Sequence, residues 1–409
     1  METPKEMFQE QDKYDILDMI GELIEPNVND TILAFSKPSF HDTLYTTVYD
    51  QSIILLKNIF TEEVIRDEIE ELVVEALKTY FMYICPKRSY RTKTVKHDPK
   101  VCFIKQTLDY LSSIPQPAQR TEEWYTFRHN YLTASSIWKA FSTESNRNQL
   151  IYSKCIPLDT TKYSKINLES PMHWGQKYED VSLQWYELNY NTRVSDFGCI
   201  PHRDIPFVAA SPDGINTDPH SDRYGRMVEV KNIVNRDITG IPKEEYWIQM
   251  QIQLEVCNLT ECDFLETRFK EYEDQEAFIE DGNRYNISED GKQKGIMSLF
   301  LDKEGQPIYE YAPLHLTESV FITWNEEIMN KHENWLKHIY WKLDEVSVVL
   351  VVKNKKWLEA AKPILKDIWD IIVKEKKEGY DHRSPKKRQR IKSKPEVMDQ
   401  KCLITIDTN

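Results

Sequence analysis

Pro206-Phe207-Val208-Ala209-Ala210-Ser211-Pro212-Asp213-Gly214 and, a little further on, Arg226-Met227-Val228-Glu229-Val230-Lys231 decide how this chain reads. The first stretch is a short apolar run stopped by a Pro-Asp-Gly turn signal, which predicts a strand ending in a tight bend. The second alternates. Met227, Glu229 and Lys231 share one face and Val228 and Val230 the other, the period of two that a strand requires. A carboxylate and an ammonium on the inward face of a strand are costly unless something neutralises them. A divalent cation would do so. Asp213, Glu229 and the carbonyl of Val230 are the hard oxygen donors that Mg²⁺ or Mn²⁺ takes, and such an ion keeps several waters, so few protein ligands suffice. Lys231 then stands beside the ion, placed to orient an attacking water. An isolated Glu-x-Lys is common on exposed hairpins, so its neighbours carry the weight.

Upstream, Gln176 to Glu187 reads as a helix with Tyr178, Val181, Trp185 and Leu188 along one stripe and Gly175 just before it. Glu179 borders that stripe and can reach inward toward a sheet, with Asp180 and Glu187 as local alternatives. Downstream, Ile241 to Cys257 reads as a second helix, with Glu244 and Glu245 near its start as the helix dipole prefers. Tyr246, Gln249 and Gln253 share a face at i, i+3, i+7, and Gln251 falls on another. Glutamine amides can position a water or hold a phosphate. Further upstream, Trp124-Tyr125-Thr126-Phe127-Arg128 precedes Leu132-Thr133-Ala134-Ser135-Ser136. The Arg128 guanidinium fork and the Thr133, Ser135 and Ser136 hydroxyls near a helix start suit a phosphate. A plain helix cap would use the same hydroxyls.

Taken in order, Trp124 to Arg128, Leu132 to Ser136, Gly175-x-x-x-Glu179, Ser211-Pro212-Asp213-Gly214, Glu229-Val230-Lys231 and Tyr246-x-x-Gln249-x-Gln251 resemble the lambda-exonuclease-like, or YqaJ-type, viral recombinase nucleases. These belong to the PD-(D/E)XK superfamily. The resemblance spans roughly residues 118–270, and the extensions on either side are similar to those of large-DNA-virus forms. It implies an α/β fold, with a central mixed sheet flanked by helices, a helical N-terminal extension and an α+β C-terminal extension. It implies a metal-dependent deoxyribonuclease that degrades linear duplex DNA 5′→3′ from 5′-phosphate ends, in recombination, repair or degradation. Asp213, Glu229 and the Val230 carbonyl would bind one or two Mg²⁺ or Mn²⁺ ions, and Glu179 would hold the second directly or through water. Lys231 would contact the water or the phosphate, and Gln249 and Tyr246 would complete the positioning. Arg128 and Ser135, with Thr133 and Gln251, would contact the 5′-phosphate and the DNA. The expected partners are duplex DNA, a single-strand annealing protein or other recombination partner, and further copies of the chain. Two other readings stand beside this one. One is a structure-specific or nonspecific endonuclease of the same superfamily. The other is a non-catalytic DNA-binding recombination partner, against which the intact Asp213, Glu229 and Lys231 set argues.

The 409 residues predict two or three domains, or one with large extensions. We divide them into a mainly helical 1–115, a nuclease core 116–310, a helical 311–379 and a basic, disordered tail 380–409. Within the first, the apolar positions from Val64 to Leu77 repeat near 3.6, with Thr61 as N-cap. Residues 261–269, 295–301 and 346–352 read as strands, 272–293 as a loop or insertion, and 319–342 and 355–377 as helices. The seven cysteines, Cys85, Cys102, Cys155, Cys199, Cys257, Cys262 and Cys402, are scattered and odd in number. They read as reduced thiols in an intracellular protein and give no four-thiolate cluster for iron–sulfur. No long apolar run suggests a membrane span, and the acidic N-terminus lacks a signal core. The formal charge of −14 is unfavourable for DNA binding, but residues 1–80 hold 18 acidic against 6 basic side chains and so account for nearly all of it. Local patches, not net charge, bind phosphates. Two stand out, Lys87-Arg88-Ser89-Tyr90-Arg91-Thr92-Lys93 with Lys96 and Lys100, and the cluster 383–394 around Lys386-Lys387-Arg388. The second reads as a DNA tether, a nuclear-import signal or a solvated tail, so the expected location is host cytoplasm or viral factory, or the nucleus.

Overall fold

The computed structural model describes residues 8–57, 59, 62–91, 101–117, 121–159, 168, 170–282 and 284–385. Four helices open the chain: α1 (Glu10–Asp30), α2 (Phe40–Leu56), α3 (Glu62–Tyr83) and α4 (Val101–Ser113). Each of the first three lays down a stripe at helical spacing: Ile16, Ile20, Ile24 and Val28; Phe40, Leu44, Val48 and Leu56; Ile65, Ile69, Leu72, Val73 and Ala76. The stripes bury one another, which is what makes the region a packed unit rather than three marginal helices. The N-cap expected at Thr61 lies outside the described residues. Phe35, in the turn between α1 and α2, sets its ring 5.6 Å from that of Trp247, so the helical extension shares one continuous core with the rest of the chain.

Next come α5 (Glu122–His129), β1 (Leu132–Thr133), α6 (Ala134–Ile137), α7 (Glu144–Cys155) and α8 (Pro171–Tyr190). The strands β2 (Val194–Ser195), β3 (Ile200–Pro201), β4 (Val208–Ala210), β5 (Gly214–Asn216) and β6 (Met227–Asn232) lead to α9 (Glu244–Val256). They are followed by β7 (Glu261–Glu271), α10 (Gln275–Glu280), β8 (Lys294–Leu301), β9 (Pro307–Tyr311), α11 (Glu318–Lys331), β10 (Trp335–Val352) and α12 (Lys355–Glu378). Seven strands form one mixed sheet in the order β2-β5-β6-β7-β10-β8-β9. β6 and β7 are parallel and joined through α9; the other neighbours are antiparallel. A second, small sheet has the order β1-β4-β3. The two faces of β6 go where its alternation sends them. Val228 and Val230 pack with Leu265 and Tyr186 of α8, and Met227 joins the core that holds α9. Trp357 of α12 closes that side, its ring edge-on to Trp247 at 5.2 Å. The expected mixed sheet between helical layers is therefore the architecture found.

Three expectations are corrected. Residues 319–342 do not form one helix: α11 ends at Lys331, and Trp335 begins the 18-residue strand β10. Trp335, Ile339, Tyr340, Trp341 and Leu343 fit a helical stripe but also suit a pleated surface. Hydrogen bonding on both edges, to β7 and to β8, decides for the strand. The sheet thus runs through the division drawn at 310, and 311–379 is not wholly helical. The loop expected over 272–293 contains α10, capped by Asp274, whose side chain accepts from Ala277 N. The tail expected from residue 380 starts in ordered structure. Arg383 binds Glu375 at 2.5 Å and also bonds Asn148, tying a short 3₁₀ turn to α12 and α7. Residues 386–409, with most of the second basic cluster, and residues 92–100 of the first lie outside the described residues. Among the described residues no helix is long and apolar enough to cross a membrane.

Candidate active site

Glu229 sits on β6 facing α9 with no solvent exposure. A bare carboxylate there would be prohibitively costly, and three donors satisfy it. Lys231 Nζ and Gln249 Nε2 donate to Oε1, the amide at 2.7 Å, and Gln253 Nε2 donates to Oε2 at 2.7 Å. Asp213 lies just before β5, and its Oδ2 accepts from Val230 N at 2.8 Å, which pins the Pro-Asp-Gly turn to β6. Burial, then the charges of Glu229 and Glu179, push the Asp213 carboxyl well above the usual carboxylate range. Lys231 shows the opposite balance. Burial alone would lower it, but Glu229 and Asp213 outweigh that and hold the ammonium above the ordinary lysine range. Tyr246 lays its ring 5.2 Å from Lys231 Nζ and 5.6 Å from the Arg236 guanidinium. Glu179 of α8 and Asp213 line one open cleft of ≈ 760 Å³, together with Asp180, Glu187 and Asp196.

This donor set fits a divalent cation. Lys231 Nζ donates both to Glu229 Oε1 and, at 3.2 Å, to the Val230 carbonyl, so two of the expected ligands already converge on one positive charge. Crowding of Asp213 by two further carboxylates asks for the same neutralisation. Among the described residues, no three His, Cys, Asp or Glu side chains are grouped so as to hold a metal ion by themselves, which leaves the two carboxylates, a main-chain carbonyl and water as the ligands. A hard ion that keeps water in its shell does not require such a group. The described cysteines are free, with Cys257 and Cys262 both buried.

Two of the glutamines change role. Gln251 is fully buried, with Nε2 donating to the Val352 carbonyl at 3.0 Å and Oε1 accepting from Asn354 N at 2.7 Å. It ties α9 to the end of β10 and is corrected from a DNA contact to a structural bond. Gln253, missed as a site residue, holds Glu229 and donates to the Ser211 carbonyl at 3.1 Å. Its signal was present in the i, i+3, i+7 face it shares with Tyr246 and Gln249. The contrast is testable. Gln253→Ala should weaken divalent-ion binding about 10–100-fold, as loss of a group that orients a ligand does. Gln251→Ala should instead lower stability by about 1–3 kcal/mol, since it strands a buried N–H and C=O, and leave the ion affinity of the folded protein unchanged. Thermal melts and metal titrations of both variants separate the two roles.

A second cluster lies beside the first. Arg128, near the end of α5, stacks over Trp124 at 4.4 Å and donates from Nη2 to Ser135 Oγ at 3.1 Å. Ser135 is exposed in the first turn of α6. Thr133 is 4 % exposed, and its hydroxyl meets that of Ser136 at 3.1 Å. It shapes the turn from within, which corrects the expectation that it touches DNA. Pairing of Leu132 with Val208 brings this cluster alongside β4, the strand that leads into Asp213.

Residues 123–263 match the model of the YqaJ-like viral recombinase domain. Over that stretch the chain is similar to the YqaJ-like viral recombinase domain. The lambda-exonuclease-like resemblance carried by the motifs is thereby shown for those residues. The YqaJ-like domain holds Arg128, Ser135, Glu179, Asp213, Glu229, Lys231, Tyr246 and Gln249, and it ends inside β7. A protein of Acanthamoeba polyphaga mimivirus, described as uncharacterised, is 31% identical over 306 residues, 65% of this chain and 54% of its own length. The chain thus spans about half the length of that relative. Two solved structures resemble the fold loosely. An alkaline exonuclease from Laribacter hongkongensis has a TM-score of 0.37 at 16% identity, covering 63% of this chain and 95% of that one. A phage related exonuclease from Haemophilus somnus has a TM-score of 0.33 at 9% identity, covering 62% and 98%.

Proposed function

We propose that the chain is a metal-dependent deoxyribonuclease that degrades linear duplex DNA from 5′-phosphorylated ends in the 5′→3′ direction. The observation that carries this reading is the clustering, within a YqaJ-like domain, of Glu229 and Lys231 on β6 with Asp213, which is bonded to β6 at Val230 and lines a cleft together with Glu179. Asp213, Glu229 and the Val230 carbonyl would hold Mg²⁺ or Mn²⁺, with Glu179 serving a second ion directly or through water. Such an ion supplies charge stabilisation to the phosphate and a more acidic water. The chain's own groups do the rest. Gln249 and Gln253 fix the Glu229 carboxylate in one orientation. Lys231 stays protonated, so it acts as a fixed positive charge toward a phosphate oxygen or the attacking water rather than as the base. Tyr246 confines that ammonium by offering its ring face. Such hydrolysis serves recombination, repair or degradation of DNA during infection, with a strand-annealing protein as the natural consumer of the single strand left behind.

Linear duplexes ending in 5′-phosphate or 5′-hydroxyl, incubated with Mg²⁺, with Mn²⁺ and with EDTA, test this. Loss of nucleotides from the phosphorylated end, absent in EDTA, is the expected result. Cutting of covalently closed circles would point to an endonuclease instead. Arg128→Ala should shrink the preference for phosphate over hydroxyl ends while changing the rate on hydroxyl ends little, because the guanidinium fork suits a terminal dianion. If both substrates slow alike, Arg128 is structural and the end-recognition part of the proposal is wrong.

A further inference from the structure

Behind Arg128 lies an ammonium that has no counter-charge among the described residues. Lys154, on α7, is 8 % exposed, and its Nζ donates at 2.8 Å to the backbone carbonyl of Arg128. That carbonyl belongs to the last turn of α5, the negative end of the helix dipole, so the bond both caps the helix and fixes where the Arg128 side chain starts. Buried lysines ordinarily find a carboxylate. Lys154 has none among the described residues. The groups facing it are Arg128 and His129 from α5, the buried thiol of Cys199, and Lys376 from α12. Contact between α12 and α7 is direct: Cys155 Sγ lies 3.9 Å from the Ile372 carbonyl, one turn before Lys376. Glu375 on α12, the residue before Lys376, is engaged by Arg383. Three helices therefore bring four basic side chains together, one of them buried, beside the Arg128–Ser135 pair.

We propose that Lys154 is a positioning residue for Arg128 and that, with Lys376, it forms the electropositive floor of a site for a terminal phosphate dianion. This rests on the end-recognition reading given above and adds two residues to it, one of them from the C-terminal extension outside the YqaJ-like domain. Burial and the charge of Arg128 bring the Lys154 ammonium down to about 7, so its charge is present below neutrality and lost as the pH rises through that value. His129 is held below its ordinary value by burial and by Lys154 and Lys376, so it contributes little charge above pH 6.5. A phosphate monoester, with its second pKa near ~6, gains charge over the same range. A preference for phosphate ends that weakens from pH 6.5 to 8.5 must therefore come from the protein.

The test is fluorescence anisotropy of a duplex oligonucleotide bearing a 5′-phosphate or a 5′-hydroxyl, measured in EDTA at pH 6.5 and 8.5. The full chain is compared with Lys154→Arg, Lys154→Met and Lys376→Gln. In the unmodified protein the phosphate-to-hydroxyl affinity ratio should fall several-fold at the higher pH. Lys154→Arg should hold its ratio at both, since arginine stays charged. Lys154→Met should sit about tenfold below the unmodified protein at pH 6.5, the scale of a lost charged hydrogen-bond donor, and show no fall in the ratio toward pH 8.5. The exposed Lys376→Gln should lower the ratio by roughly two- to threefold, as for a solvent-screened charge. A pH-independent ratio in the unmodified protein, or a folded Lys154→Met that keeps the full ratio, overturns the proposal. If Lys154→Met does not fold, the Lys154→Arg profile and Lys376→Gln decide. Binding in EDTA needs no hydrolysis, so a chain that binds as expected but never cuts with Mg²⁺ or Mn²⁺ would sink the nuclease reading and leave this one standing.

Discussion

Asp213→Asn and Glu229→Gln should each reduce hydrolysis of linear duplex DNA to below about one per cent of the unmodified rate, the largest effects expected in this protein. Both changes keep shape and remove a charge. Asn at 213 can still accept from Val230 N through its amide oxygen, and Gln at 229 keeps one oxygen to accept from Gln249 while its NH2 can donate to the Oε1 of a turned Gln253, so the fold should survive. The carboxyl of Asp213 is displaced upward, above its unfolded value, by burial, Glu229 and Glu179. Stability tied to such a group is complete below the unfolded pKa and lost as pH rises through the folded one. At neutral pH, above the unfolded pKa, the site without metal has therefore lost stability at Asp213. Asp213→Asn should melt higher than the unmodified protein in EDTA and gain less from added Mg²⁺. A melt lowered in EDTA, or clear residual cleavage, would remove Asp213 from the ion site.

Lys231→Ala should lower the rate by about 10²–10⁴, the range for a positioned acid–base or electrostatic group. Lys231→Gln should not restore it, since Glu229 and Asp213 hold the lysine charged and the charge is what the site uses. Full activity of Lys231→Gln would show that a neutral hydrogen-bond donor is enough. Lys231 also neutralises Glu229 in the absence of metal, so both variants should bind divalent ions at lower concentration while turning over slowly. Isothermal titration with Mn²⁺ against single-turnover rates reads the two effects apart.

What the sequence made legible follows from local periodicity. The alternation of Met227, Val228, Glu229, Val230 and Lys231 specified which side chains enter the site, and β6 keeps that alternation. The face shared by Tyr246, Gln249 and Gln253 likewise appears at Lys231 and Glu229. The spacing Gln249-x-Gln251 misled, because a two-residue step on a helix points around the cylinder rather than along it. What stayed hidden is non-local. Nothing in Trp335 to Leu343 tells strand from helix until β7 and β8 are present on either edge. Lys154 reads as an ordinary surface lysine, because its environment comes from α5 and α12, which lie far from it in the chain.

The position of β10 carries a consequence for how the protein is made. β7 lies at the end of the YqaJ-like domain, yet its partner on one edge arrives only with Trp341 to Val352. A nascent chain emerging from the ribosome in order must hold β7 with an open edge until residue 352 has cleared the exit tunnel. A message cut short after Gln253 would yield a product with the Asp213, Glu229 and Lys231 cluster and its glutamines but no finished sheet. Its bare apolar strand is a template for aggregation. Translation must therefore proceed well past the chemistry before that chemistry has a stable frame.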